Sequence, residues 1–194
     1  MPVIDFDNDP SLRAAMFFGH GDNFSRGIDV DAFAPLAKAG QPFKVTDGML
    51  DPFARTHKLS KPLIAVVHGD TWNMAHELHL VADIRVASAD VRFGQDENTH
   101  GRFPGGGSTI RFPQEAGWGN AMRYMLTGDH WGAEEAYRMG VIQEIAPDPT
   151  RALEAGDRAG PQDRRVRAAR HQDHAGVRAP VDRRVRSGGV RQAR

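Results

Sequence analysis

The sequence predicts an α/β fold, because two strand-like runs flank a segment with helical periodicity. Residues 63–67 (LIAVV) form a short apolar run between a proline and a glycine, and such a run is typical of a buried strand. Residues 83–87 (DIRVA) have the composition of a second strand. Between them, apolar residues recur at the spacing of a helix that begins near Asn73, at Met74, Ala75, Leu78, Val81 and Ala82.

The flanking segments supply the other predicted elements. Residues 13–18 (RAAMFF) are predicted to form a buried strand that ends at a glycine-containing turn. Residues 31–60 contain three prolines and two glycines, which predicts an irregular and mobile segment. Residues 117–126 and 133–139 are predicted to form helices that cover the sheet.

Two glutamates are candidates for acid–base chemistry. Glu77 lies one turn into the predicted helix, and Glu97 follows the next strand, 20 residues later. A path of strand, tight turn, helix and strand can return two such positions to one cleft. Two carboxyl groups in different environments can serve as an acid and a base.

Several motifs around these glutamates are typical of one enzyme family. In chain order they are FSRGIDV at 24–30, KPLIAVVHG at 61–69, EL at 77–78, ADIRVA at 82–87, FGQDE at 93–97, GRFPGGG at 101–107, LTG at 126–128, AEEA at 133–136 and MGVI at 139–142. In this order the chain resembles the crotonase superfamily, the enoyl-CoA hydratase and isomerase enzymes, over residues 12–147. The resemblance implies a crotonase-like spiral of repeated ββα units, incomplete here at both ends.

The resemblance also implies a reaction and a set of residues for it. Glu77 and Glu97 match the two catalytic glutamates of the family, which favours syn addition of water to a 2-enoyl thioester of coenzyme A. The backbone N–H groups of Ile28 and Met74 match the two donors of the oxyanion hole, which holds the thioester oxygen. Another crotonase activity (enoyl-CoA isomerisation or acyl-CoA hydrolysis), or an inactive fragment that binds acyl-CoA, is the alternative.

Contacts with coenzyme A follow from the same resemblance. The carbonyl groups of Arg26 and Val30 match positions along the adenine, Gly27 precedes the first oxyanion donor, and Gly105 matches a glycine beside the thioester. In crotonases residues equivalent to 31–60 border the acyl pocket. Coenzyme A enters as part of the substrate, so no separate cofactor is implied.

The turn before the catalytic helix departs from the family pattern. Three successive glycines are replaced by Asn73, Met74 and Ala75. A backbone donor at Met74 does not require a glycine, provided that its dihedral angles are ordinary. The bulky side chains of Trp72 and Met74 are predicted to narrow the pocket.

No metal site is predicted. The segment His76-Glu77-Leu78-His79 is similar to the zinc motif H-E-x-x-H, but that motif requires its second histidine where this chain has Leu80. A role on the helix face or at the surface is the preferred interpretation of these histidines.

Charge divides the chain into two predicted regions. Residues 151–194 contain 12 arginines, no lysine and five acidic residues, a formal charge of +7, so the neutral chain carries −7 over residues 1–150. Residues 1–150 are predicted to be a partial acyl-CoA-binding catalytic core, and 151–194 an Arg-rich tail that is non-native or disordered. Out-of-frame translation of GC-rich DNA is the preferred origin of this tail; a nucleic-acid-binding arm is the other interpretation.

Composition sets the expected partners and compartment. The chain has balanced charge and no cysteine, and it shows neither a long apolar run nor a signal-peptide pattern at its start. These features predict a cytoplasmic protein with neither a nucleic acid nor a membrane as partner. The resemblance implies a homotrimer or hexamer whose C-terminal helices complete the neighbouring site, but such helices are not recognisable in this sequence.

Overall fold

The computed structural model describes residues 3–39, 51–54 and 58–160. Within these residues the strands are β1 (Ala15–Phe18), β2 (Leu63–Val67), β3 (Asp70–Trp72), β4 (Ile84–Ser88), β5 (Arg92–Gly94), β6 (Trp131–Gly132) and β7 (Glu144–Ala146). The helices are α1 (Val3–Asn8), α2 (Val30–Lys38), α3 (Met74–His79), α4 (Ser108–Ala116), α5 (Trp118–Thr127), α6 (Ala133–Arg138) and α7 (Pro149–Ala159), with a 3₁₀ turn over Glu97–His100.

The strands form two sheets. One sheet has the order β1-β2-β4-β7 and is entirely parallel. The other has the order β3-β5-β6, with β3 and β5 parallel and β6 antiparallel to β5. The mixed α/β fold agrees with the predicted class. The predicted strands at 13–18, 63–67 and 83–87 correspond to β1, β2 and β4, and the predicted helices at 117–126 and 133–139 to α5 and α6.

Strand β2 lies at the centre of the core. All five of its residues are buried, as expected for a parallel strand covered on both faces. Ile64 and Val66 pack with residues of α7 on one face, whereas Leu63 and Ala65 pack with residues near the N-terminus on the other. This alternation follows from the two-residue period of a strand.

Helix α7 corrects the predicted boundary at residue 150. Asp148 caps it by accepting a 2.9 Å hydrogen bond from the N–H of Arg151, and Pro149 occupies the first turn, where a proline is well tolerated. Ala152 and Ala155 are fully buried against the sheet. Residues 151–159 therefore belong to a helix that packs on the sheet, not to the predicted tail. The rest of that tail, from residue 161 onwards, lies outside the described residues.

The predicted irregular segment at 31–60 also needs correction in its first part. Residues 30–38 form α2, and its first turn is closed by the side chain of Asp29, which accepts a 3.1 Å hydrogen bond from the N–H of Ala32. Pro35 lies inside this helix. Residues 40–50 and 55–57 lie outside the described residues. Among the helices that the structure does describe, none is long and apolar enough to span a membrane.

We expect Gly156→Val to destabilise the chain, because α7 packs closely on the sheet. A Cβ at Gly156 would lie 2.5 Å from Val66 Cγ2 and 2.6 Å from Met16 Sδ, and overpacking of this kind costs about 1–3 kcal/mol. Gly119→Val is the matched control, since a Cβ there meets no atom within 4 Å. The free energy of unfolding, measured in urea, should fall only for the first variant; equal effects would contradict the packing of α7.

Candidate active site

The parallel pairing of β3 with β5 brings the two predicted glutamates together. Trp72, the last residue of β3, pairs with Gly94, the last residue of β5. Neighbouring parallel strands end at the same edge of a sheet, so the chain leaves both strands on the same side. Helix α3, which carries Glu77, follows β3, and the 3₁₀ turn that begins with Glu97 follows β5.

A cavity of about 600 Å³ opens at this edge. Its wall is made of Arg26, Ile28, Val30, Phe33, Ala34, Lys38, Phe53, Asn73, Met74, Glu77, Glu97, His100, Arg102, Phe103 and Gly105. Every predicted site residue except Gly27 lies in this wall. Gly27 lies beside it, because a Cβ at Gly27 would be 3.9 Å from the backbone nitrogen of Met74.

Glu77 is held at the base of the cavity with 1% of its surface exposed. Its Oε1 accepts hydrogen bonds from the N–H groups of Gly106, at 2.7 Å, and Ser108, at 3.1 Å. Its Oε2 has no hydrogen-bond partner among the described residues. One carboxyl oxygen is thus anchored by the backbone, and the other is a buried acceptor without a partner, on a residue that lines the cavity.

The environment of Glu77 favours its protonated form. The pKa of Glu77 is raised to about 7: burial is the main cause, the negative charge of Glu97 adds to the rise, and the N–H groups of Ser108 and Gly106 oppose it. A carboxyl group with this pKa can gain or lose a proton near neutral pH, as acid–base catalysis requires.

Glu97 is less enclosed than Glu77 and is held by one side chain. Gln95 Nε2 donates to both carboxylate oxygens of Glu97 at 2.8 Å. Burial raises the pKa of Glu97, while the hydrogen bond from Gln95 opposes that rise. The Oε1 of Gln95 accepts a 2.7 Å hydrogen bond from Ser108 Oγ, so Ser108 and Gln95 connect the two glutamates.

The sequence patterns assigned no role to Gln95 or Ser108. Both are buried, with 1% or less of their surface exposed. Their places in FGQDE and next to GGG were the signal that could have identified them. A buried polar side chain normally needs partners: here the Gln95 amide bonds Glu97 and the Ser108 hydroxyl, and the Ser108 N–H bonds Glu77.

The glycine-rich loop at 105–107 presents backbone donors to Glu77. A Cβ at Gly106 would lie 2.7 Å from Phe53 Cδ1 and 2.9 Å from Glu77 Oε2, so a larger residue would displace one of them. The guanidinium of Arg111 donates to the carbonyls of Gly106, at 3.0 Å, and Phe53. This loop therefore binds an anionic group of the protein itself, the carboxylate of Glu77.

The two predicted oxyanion donors lie on opposite segments of the same wall. Ile28 follows Gly27, whose φ of 103° is in a region that glycine adopts easily. Met74 is the first residue of α3, where N–H groups have no partner within the helix. Among the described residues, neither N–H donates to another backbone carbonyl. Both amides are thus available to an oxygen atom in the cavity.

Among the described residues, Met74 is not one of the non-glycine residues with positive φ, but Asn73 before it has φ 52° and ψ −119°. The side chain of Trp72 does not line the cavity, and its ring packs at a tilt against His130 with ring centroids 4.8 Å apart. The prediction that Trp72 narrows the pocket is therefore wrong, whereas Met74 does line it.

The rest of the wall has a basic and an apolar part, which sequence reasoning did not identify residue by residue. Four basic side chains belong to it: Arg26, Lys38, His100 and Arg102. Most of the other lining residues are apolar. Phe33, Ala34 and Phe53 come from the segment expected to border the acyl pocket. Such a cavity suits a ligand that has both an anionic and an apolar portion.

His76 and His79 lie on a buried face of α3, so of the two roles preferred from sequence, the helix face or the surface, the structure contradicts the surface role. Both are fully buried, and they stack on each other with ring centroids 5.8 Å apart. Burial lowers the pKa of His76 to about 4 and that of His79 well below its usual value. In the part of the chain that the structure describes, no group of three or more His, Cys, Asp or Glu side chains could hold a metal ion.

Comparisons with known proteins agree with this architecture. The family model for enoyl-CoA hydratase/isomerase matches residues 3–167. Enoyl-CoA hydratase EchA19 of Mycobacterium tuberculosis is 36% identical over 159 residues, which are 78% of this chain and 59% of that protein. Short-chain-enoyl-CoA hydratase of Clostridium acetobutylicum is 32% identical over 145 residues, 74% of this chain and 55% of that protein.

A solved structure supports the same relationship. The crystal structure of a probable enoyl-CoA hydratase/isomerase from Mycobacterium abscessus superimposes with a TM-score of 0.74 at 40% identity, covering 79% of this chain and 61% of that one. The chain thus spans less than two thirds of the length of these relatives. With a matching family model over most of its length, the chain belongs to the enoyl-CoA hydratase/isomerase family of the crotonase superfamily.

Proposed function

We propose that this chain catalyses syn addition of water to a 2-enoyl thioester of coenzyme A. The observation that carries the proposal is the pair of carboxyl groups with raised pKa values, Glu77 and Glu97, in one cavity with two available backbone N–H groups. Relatives named as enoyl-CoA hydratases at 32–36% identity support the same reaction.

The two glutamates divide the proton transfers. One carboxylate accepts a proton from water as the water oxygen bonds to the β carbon of the substrate, and the other carboxyl group supplies a proton to the α carbon. Burial raises the pKa of both carboxyl groups, and the charge of Glu97 adds to the rise at Glu77, so that Glu77 can exchange a proton near neutral pH. The connection through Ser108 and Gln95 fixes the positions of both groups.

The oxyanion hole stabilises the charge that develops during addition. When water adds to the β carbon, electron density moves onto the thioester oxygen and forms an enolate. The N–H groups of Ile28 and Met74 would donate to that oxygen. Losing one donor of this kind typically costs about 2.7–4 kcal/mol of transition-state stabilisation.

The cavity wall accounts for binding of the whole thioester. The basic side chains of the wall would attract the phosphate groups of coenzyme A; they are Arg26, Lys38, His100 and Arg102. Apolar side chains such as Phe33 and Phe53 would contact the acyl chain. Coenzyme A enters as part of the substrate, and the proposed steps use neither a metal ion nor a separate cofactor. Assembly into a trimer or hexamer stays a prediction.

Replacing Glu97 with glutamine should abolish most of the activity. With crotonyl-CoA as substrate, we expect Glu97→Gln to lower kcat roughly 10²–10⁴-fold, because a glutamine cannot exchange a proton. Loss of the enoyl absorbance measures turnover. Glu134→Gln is the matched control, since Glu134 is exposed on α6 and should leave turnover unchanged.

Three measurements distinguish the proposed hydratase from the alternative activities: turnover of crotonyl-CoA, conversion of a 3-enoyl-CoA, and binding of the saturated analogue butyryl-CoA. An active Glu97→Gln variant would refute the two-glutamate mechanism. A chain that leaves crotonyl-CoA unchanged but converts a 3-enoyl-CoA into a 2-enoyl-CoA would be an isomerase. A chain that binds butyryl-CoA and turns over neither substrate would be the inactive acyl-CoA-binding alternative.

Raising the pH should destabilise the native chain more than a Glu77→Gln variant. Folding raises the pKa of Glu77 from 4.5 to about 7, so between these values the native chain holds a proton that the unfolded chain has released. Stability from this group is therefore lost as pH rises through that window, by about 3 kcal/mol in total. Urea unfolding at about pH 5 and about pH 8 measures the loss, and parallel pH curves for the two proteins would contradict it.

A further inference from the structure

The backbone of Asn73 has an unusual conformation at the point where the oxyanion segment begins. Its φ of 52° and ψ of −119° lie outside the helical, extended and left-handed regions that non-glycine residues occupy. The family pattern that the chain resembles has glycine in this turn. A side chain at this position therefore requires interactions that hold the backbone in place.

Both ends of Asn73 are fixed by backbone hydrogen bonds. Its N–H donates to the carbonyl of Gly94 at 2.8 Å, and its carbonyl accepts from the N–H of Glu77 at 2.9 Å. The first bond ties Asn73 to the end of β5, and the second belongs to the start of α3. The peptide group between Asn73 and Met74, which carries the Met74 donor, takes its orientation from this turn.

The side chain of Asn73 adds a reciprocal pair of hydrogen bonds with Asp96. Asn73 Nδ2 donates to Asp96 Oδ1 at 2.7 Å, and the N–H of Asp96 donates to Asn73 Oδ1 at 2.8 Å. The second carboxylate oxygen of Asp96 lies 3.1 Å from His130 Nε2. Asp96 stays ionised in this setting: burial raises its pKa, but the hydrogen bonds from Asn73 and His130 produce a net lowering.

We propose that the Asn73–Asp96 pair is a positioning device, which holds Asn73 at positive φ so that the Met74 N–H faces the cavity. Asp96 immediately precedes Glu97, so the same two bonds fix the oxyanion turn relative to the second glutamate. In this chain the side-chain tether does what glycine achieves elsewhere by conformational freedom. The catalytic part of this inference rests on the proposed hydratase activity.

Variants at both positions test the tether. Asn73→Ala removes both side-chain bonds and keeps a residue that disfavours positive φ, so we expect kcat for crotonyl-CoA to fall roughly 10–100-fold with KM changed less than about threefold. Asn73→Gly should lose less, because glycine adopts the conformation without a tether. Asp96→Asn keeps an acceptor for Asn73 Nδ2 and should retain activity that Asp96→Ala loses.

A double variant separates positioning from a general structural effect. If Asp96 acts through Asn73, then Asp96→Ala should lower kcat in the native background and have little further effect in the Asn73→Gly background. Asp129 is an exposed aspartate that immediately precedes His130 in the chain. The variant Asp129→Ala therefore controls for the loss of a surface carboxylate. Free energies of unfolding identify any variant that has simply lost its fold. Multiplicative losses in the double variant would overturn the proposal.

A second measurement needs neither substrate nor turnover. Backbone chemical shifts and HN–Hα couplings report φ of residue 73 by NMR in the native chain, in Asp96→Asn and in Asn73→Ala, the variant that removes both side-chain bonds. We expect positive φ in the native chain and Asp96→Asn, and its loss in Asn73→Ala. Positive φ in Asn73→Ala would overturn the tether, and lost φ with unchanged kcat would overturn its catalytic role. If the native chain hydrates no enoyl-CoA, the proposed function fails while the φ comparison still decides the tether.

Discussion

Burying the carboxyl group of Glu77 requires donors that come from another segment, and the rest of the site is arranged around that requirement. The donors are the N–H groups of Gly106 and Ser108, so the glycine-rich loop must lie directly over α3. Phe53 lies against the same loop, because a Cβ at Gly106 would be 2.7 Å from its ring. A carboxyl group in this position is costly when ionised, and the same cost raises its pKa into the range useful for proton transfer.

Two features of the site lower the stability of the fold. Glu77 Oε2 is buried without a partner in the described part of the chain, and Asn73 has a backbone conformation that few side chains tolerate. Features of this kind concentrate at functional sites, where the surrounding packing has to maintain them. Here the hydrogen bonds that join Asn73 to Gly94, Glu77 and Asp96 hold that conformation.

Prediction from sequence succeeded where one residue pattern dominated a segment. The apolar run of β2 and the periodicity of α5 and α6 are local signals, so these elements were placed correctly. Helix α7 was missed because its buried face consists of small residues, Ala152, Ala155 and Gly156, which give little hydropathy contrast. Helix α2 was missed because Pro35 suggested a break. The burial of His76 and His79 was not predicted, because their spacing excluded the zinc motif but did not show which face of α3 is covered.

The sequence by itself determined the α/β class, the order of the motifs and the main candidate residues of the site. Motif order made Glu77, Glu97, Ile28 and Met74 candidates, since a motif can be read from the chain whatever its conformation. Only the tertiary structure decided how Asn73 is held at a position where the family pattern has glycine. It also decided which way Trp72 points and which donors hold each carboxylate. These depend on contacts between segments far apart in the chain, such as Asn73 with Asp96, and local residue preferences contain no information about such contacts.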